Sequence, residues 1–165
     1  MNSAFGKLCA VAAFGVMTAS GAVAQTPAAA PVRPSYGPAL SLADARPVVA
    51  AAEAAAKKMG VNFAIAIVEP TGEVVRAEKM DDTQYASFDL AITKARSSAR
   101  FRRPTKEFED GVPTRAALLG LPGAIPIGGG VMLLRGGKLV GAIGVSGGTS
   151  GQDLEIATAA AATFK

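Results

Sequence analysis

Three groups of residues in this 165-residue chain have types and spacing that could do chemistry. The first is the turn Ser146-Gly-Gly-Thr-Ser150, which empties into an Ala-rich stretch, Gln152 to Phe164, that reads as a helix. Unpaired N–H groups at a helix start, approached through Gly147, Gly148, Thr149 and Ser150, make a seat for an anion. The plainer reading is a glycine-rich turn that only caps the helix, since Ser150 with Asp153, or Thr149 with Gln152, has capping-box spacing. Gly128 and Gly129, in the run Ile125-Pro-Ile-Gly-Gly-Gly, join these as ligand-binding candidates. The second group is Arg96 and Arg100, one helical turn apart, with Arg102, Arg103 and Lys106 just beyond. Either it is a solvated face near a helix C-terminus, where the dipole favours cations, or it is a counter-surface for a carboxylate or phosphate. The third is the carboxylates Asp89, Asp153 and Glu155, which could act as acid and base, although capping and dipole roles already account for Asp153 and Glu155 in a first turn.

Composition removes several classes. The chain has no His and one Cys, Cys9, so imidazole ligation and any Ser-His-Asp or Cys-His pair are excluded. Formal net charge is +4, and +3 without Lys7. So modest an excess, with few aromatics, argues against nucleic-acid binding.

The elements that must position these groups follow from the pattern along the chain. Lys7, apolar Leu8 to Ala19 and the small-x-small Ala22-Val23-Ala24 predict a secretory signal peptide over 1–24, hence export to the periplasm or beyond. It is too short for a comfortable membrane span, and none is expected in the mature chain. Cys9 leaves with it, so the mature protein has neither thiol nor disulfide. The Pro- and Ala-rich stretch that follows predicts a disordered linker over 25–38, and a single domain over 39–165.

Ser41 with Asp44, and apolar Val48, Val49, Ala52, Ala55, Ala56 and Met59, predict a helix over 42–59 stopped by Gly60. Pro47 fits better if Asp44 is the cap, and should distort the first turn if Ser41 is. Val61 to Val68 and Glu73 to Met80 flank the turn Glu69-Pro-Thr-Gly72 and predict a hairpin whose first strand is interior and whose second lies nearer an edge. A helix from Ser87 carries Phe88, Ala91, Ile92, Ala95 and Ala99 as one apolar stripe, with Arg96 and Arg100 on its flank. Two short helical turns, Thr105 to Asp110 and Pro113 to Leu119, lead to a second hairpin, Val131 to Arg135 and Leu139 to Val145, hinged at Gly136-Gly137. The order α-β-β-α-β-β-α gives an α+β domain with one mostly antiparallel sheet of four to five strands.

Ala86-Ser-Phe-Asp-Leu-Ala-Ile-Thr-Lys-Ala, Phe101-Arg-Arg-Pro-Thr, Ile125-Pro-Ile-Gly-Gly-Gly, Gly141-Ala-Ile-Gly-Val-Ser-Gly-Gly and Gln152-Asp-Leu-Glu-Ile-Ala together resemble the signatures of the GlcG/HbpS haem-binding family. The resemblance covers 39–165. It implies a profilin-like α/β domain that forms homo-oligomers and binds haem or a related tetrapyrrole, with exported members linked to haem capture or to assisting a sensor. Both the Gly147 to Ser150 turn and the arginines at 96, 100, 102 and 103 could receive the two carboxylates of such a ligand. With no His, iron would fall to Tyr85, Met80, Met132 or Thr149, or to no protein ligand. Packing explains these residues more simply, the methionines as strand core and Tyr85 as a lid at a helix entrance.

The leading reading is therefore an exported, oligomeric tetrapyrrole-binding protein without turnover of its own. Two alternatives stand beside it: a haem-degrading or small-molecule-processing enzyme using Asp89, Asp153 and Glu155, and a non-catalytic interaction domain whose glycine loops serve subunit packing.

Overall fold

The computed structural model describes residues 31–165; the signal segment expected over 1–24 lies outside them. In chain order the elements are α1 (Leu42–Met59), β1 (Ala64–Val68), β2 (Val74–Lys79), α2 (Ala86–Phe101), α3 (Lys106–Gly111), a 3-10 turn (Ala116–Gly120), β3 (Gly130–Arg135), β4 (Lys138–Ser146) and α4 (Ser150–Ala161). The strands form one antiparallel sheet in the order β2-β1-β4-β3, so β1 is interior and β2 an edge. This is the α+β architecture expected, with four strands. Among the described residues no helix is long and apolar enough to cross a membrane.

The two faces of the sheet are built differently, and the alternation within β1 shows how. Ile65 and Ile67 point to a core of large side chains beneath α1 and α4, joined by Phe63, Leu133, Ile143, Val145 and Ile156. Ala64, Ala66 and Val68 point the other way and meet Ala91, Ala95 and Ala99 of α2, with Ala142. Small residues on both surfaces bring the α2 backbone down onto the sheet: a Cβ on Gly144 would lie 2.0 Å from the Ala91 carbonyl oxygen. At the β3–β4 hairpin, Gly136 and Gly137 supply the two positive φ angles, 56° and 73°.

Ser41, not Asp44, caps α1. Its hydroxyl accepts from the Asp44 N–H while the Asp44 carboxylate accepts from the Ser41 N–H, and Pro47 is carried inside the helix. At α4 the box is made by Thr149 and Gln152.

The stretch expected as a free linker departs from expectation where it is described. β4 is longer than β1, whose pairing with it ends at Val68 opposite Ala142. Ser35 to Leu40 takes up the vacated edge: the Leu139 N–H donates to Ser35, Gly37 to Leu139, and Leu40 to Val140. Arg33 pairs with Glu107 through both carboxylate oxygens, at 3.0 and 2.7 Å. Unpaired strand groups are a better reason for order than Pro and Ala content is for disorder.

Candidate functional site

The glycine-rich loops converge on a buried ion pair. Lys94 of α2 and Asp153 of α4, with side chains 1% and 3% exposed, meet at 2.5 Å. The Lys94 ammonium also donates to the Val145 carbonyl at 3.1 Å, and the second Asp153 oxygen accepts from the Gly148 N–H at 3.0 Å. Burial pushes the Asp153 carboxyl above its ordinary value, with the Lys94 ammonium and the Gly148 and Gly147 N–H groups pulling the other way. Gly129 is pressed against this pair: a Cβ there would lie 2.8 Å from Asp153 Cβ and 3.1 Å from Lys94 Nζ. Gly147 packs on Asn62 and Phe63. Glu109 of α3 ties the two loops together, accepting from the Gly128 N–H at 2.8 Å and the Ser150 hydroxyl at 2.9 Å.

The N-terminus of α4 carries a cap made by the chain's own groups. Gly148 donates to Asp153, Thr149 to Gln152, and Gln152 back to the Thr149 hydroxyl.

The arginines form a separate structure. The Arg96 Nε donates to the Gly72 carbonyl at 2.9 Å and the Arg100 Nε to the Thr71 carbonyl at 2.7 Å, so one face of α2 grips the β1–β2 turn. The Arg100 guanidinium lies flat over Gly72, where a Cβ would come within 2.6 Å of its Nε. Arg102 donates to the Pro34 carbonyl and sits 5.2 Å from the centre of the Tyr36 ring. Arg103 covers Phe108 at 4.9 Å. The turn adjoins Val68 opposite Ala142, whereas the glycine loops follow Ser146 opposite Ala64. At the usual strand rise these points are about 13 Å apart along the sheet, so the two regions considered as halves of one carboxylate site stand at opposite ends of the β1–β4 pair.

Beside the turn is a cleft of about 480 Å³, mostly apolar, with Tyr36 and Ala39 on one wall, Glu69, Pro70 and Thr71 on the other, and Arg100 between them. Its size lies within the range of about 300–1,000 Å³ common for small-molecule sites. With its Nε used by Thr71, Arg100 has terminal N–H groups that take no acceptor among the described residues and can meet a carboxylate in a bidentate or end-on mode.

The side chains considered for iron are dispersed. Tyr85, expected as a packing lid, is instead 91% exposed, with the Lys79 ammonium 5.6 Å from its ring centre. Met80 is half-buried against the core, Met132 is half-buried in β3, and Thr149 is engaged in its cap. Among the described residues no three Asp, Glu, His or Cys side chains are grouped to hold a metal ion. Of the carboxylates, Asp153 is sealed in its ion pair, while Asp89 and Glu155 are exposed on α2 and α4.

Sequence reasoning missed Lys94, Glu109 and Tyr36. Lys94 carried a signal, since it lies three residues after Ala91 and next to Ala95, inside the apolar stripe. Glu109 and Tyr36 carried none, because their partners come from distant segments.

A family model described as "Haem degrading protein HbpS-like" matches residues 40–162. The corrinoid adenosyltransferase PduO of Salmonella typhimurium is 34% identical over 131 residues, which are 76% of this chain but only 39% of PduO. The crystal structure of Streptomyces reticuli HbpS, in a double-mutant form, is 30% identical and aligns with a TM-score of 0.73 over 84% of this chain and 99% of that one. The crystal structure of the PduOC:haem complex is 32% identical, with a TM-score of 0.68 over 75% of this chain and 94% of that one. Matched along nearly its whole domain by model, sequence and structure alike, the chain belongs to the HbpS-like family.

Proposed function

We propose that this protein is an exported, homo-oligomeric haem-binding protein serving haem capture or a sensor system, and that the cleft beside the β1–β2 turn receives the ligand. The observation that carries the reading is the seating of Arg100, whose guanidinium is held by the Thr71 carbonyl over the bare Gly72 backbone at the edge of a mostly apolar cleft. The haem complex of PduOC, similar over three quarters of this chain, supports the choice of ligand.

The residues present fit a tetrapyrrole in two respects. Tyr36, Ala39 and Pro70 offer apolar surface to a flat macrocycle, and Arg100 offers donors to a propionate. Arg96, half-buried and bound to Gly72, keeps the turn in place. With no imidazole in the chain, binding rests on the faces and carboxylates of the ligand more than on its metal. When bound, haem would supply redox and ligand-binding chemistry at its iron; the chain's part is to hold and orient it.

Titration with haemin, followed by the Soret band, tests this. Saturable binding is expected, weakened about tenfold in Arg100→Gln, the scale of one lost charge-assisted contact. An unmoved Soret band would overturn haem binding, and equal affinity in the variant would remove Arg100 from the site. Light scattering on the same samples checks assembly, which predicts a mass above that of one chain.

A further inference from the structure

We propose that residues 33–40 form a strap that completes the ligand cleft and docks in thermodynamic coupling with the ligand. The inference rests on the reading that the cleft takes haem, and it adds what that reading lacks: one wall of the site comes from upstream of the region matched by the family model, which begins at residue 40.

The strap is held at three places along its length. Arg33 forms its two-pronged pair with Glu107. Tyr36 is fixed at both ends of its side chain: its hydroxyl donates to the Arg100 carbonyl at 2.8 Å and its ring lies under the Arg102 guanidinium. Ser35, Gly37 and Leu40 bond to the free edge of β4. Tyr36 and Ala39 then face Pro70 and Thr71 across the cleft.

The backbone at Arg102 is the second observation. α2 ends in a left-handed residue with the N–H of 102 bonded to Ala99 and that of 103 to Ser98, a Schellman ending whose left-handed position is usually glycine. Here it is Arg102, at φ 53° and ψ 48°, a conformation that a residue with a Cβ adopts at a cost. A glycine would make the same helix ending without that cost, but it would have no guanidinium to place on Tyr36 and the Pro34 carbonyl. Strain retained at one point and matched to a contact that only this side chain makes marks the contact as functional.

Coupling follows from the geometry. A ligand between the two walls touches the strap and the turn together, so it binds only the docked state. Its apparent affinity is the intrinsic one scaled by the docked fraction, and binding raises that fraction in return.

Arg102→Gly in the full chain separates this from a general loss of structure, because glycine suits the backbone at 102. We expect an unchanged or higher Tm, exchange of the Gly37, Leu40 and Leu139 amides at least about tenfold faster, and haemin affinity lowered in proportion to the lost docked fraction. Arg33→Ala should act in the same direction. In the unmutated chain, saturating haemin should slow exchange over 35–40. If both variants free the strap while haemin affinity stays constant, or if bound haemin leaves that exchange unaltered, the coupling is refuted with the haem reading intact. An unmutated chain that fails to bind haemin would overturn the haem reading and this inference together.

Discussion

Lys94 and Asp153, 59 residues apart in sequence and on different helices, share a 2.5 Å contact from which water is shut out. Two charges in an apolar interior are costly to place, and removing one leaves the other without compensation. Asp153→Ala should therefore destabilise the domain by about 3–5 kcal/mol in urea titration, and Lys94→Met by a similar amount. The double variant Lys94→Met with Asp153→Leu should recover most of that loss. A double variant as unstable as the sum of the singles would show that the pair does more than compensate itself.

Gly144 tests the close approach of α2 to the sheet. Alanine there would drive its Cβ to within 2.0 Å of the Ala91 carbonyl oxygen, which belongs to helix backbone and cannot swing aside. A loss of at least about 3 kcal/mol is expected, the upper range for overpacking. Gly120→Ala, with nothing within 4 Å of the new methyl and an ordinary φ, should leave the urea midpoint nearly unchanged.

Acid stability should depend on Asp44. The Ser41 N–H, the Ser41 hydroxyl and then Arg135 hold its carboxyl down to about 2 from 3.8. A lowered folded-state value means that its contribution is present above pH 3.8 and is lost as pH falls towards 2. Asp153 acts with the opposite sign: its raised value gives a contribution that is present at low pH and declines as pH rises through its titration. Asp44→Asn should flatten the fall in stability between pH 4 and 2 measured by thermal melts, and a slope identical to that of the unmutated chain would contradict this.

Export predicts a mature N-terminus at Gln25, after the small-x-small Ala22-Val23-Ala24. Intact-mass measurement of protein recovered outside the cytoplasm should give the mass of 25–165. A mass that retains Lys7 would contradict cleavage there.

Much of the fold was legible because its signals are local. Ser41 with Asp44, Gly60 after the helix, and Gly136-Gly137 between apolar runs each act within a few residues, and the elements they delimit lie within a few residues of expectation. The interior position of β1 was legible in its unbroken apolar run. What the chain could not reveal locally was pairing at a distance. Asp153 occupies a first turn, where capping is an adequate explanation, and only the arrival of Lys94 from α2 gives it another role. Arg96 and Arg100 have the spacing of a ligand clamp, but backbone carbonyls of the β1–β2 turn take their Nε donors. The composition of the stretch before residue 39 argues for a solvated tether, whereas the unmet hydrogen bonds of β4 argue for docking and prevail from Arg33 onward.

The bond between Gly37 and Leu139 spans about a hundred residues, whereas the β3–β4 hairpin beside it closes within ten. Contacts so distant in sequence form late, because the entropy of closing the loop must be met before they stabilise anything. Until the strap arrives, a folding chain presents the first residues of β4 as an open edge beyond the end of β1, able to template pairing with another chain. The same segment that walls the cleft therefore also shields a half-folded molecule from its neighbours, and chains truncated before Leu40 should show concentration-dependent aggregation during refolding.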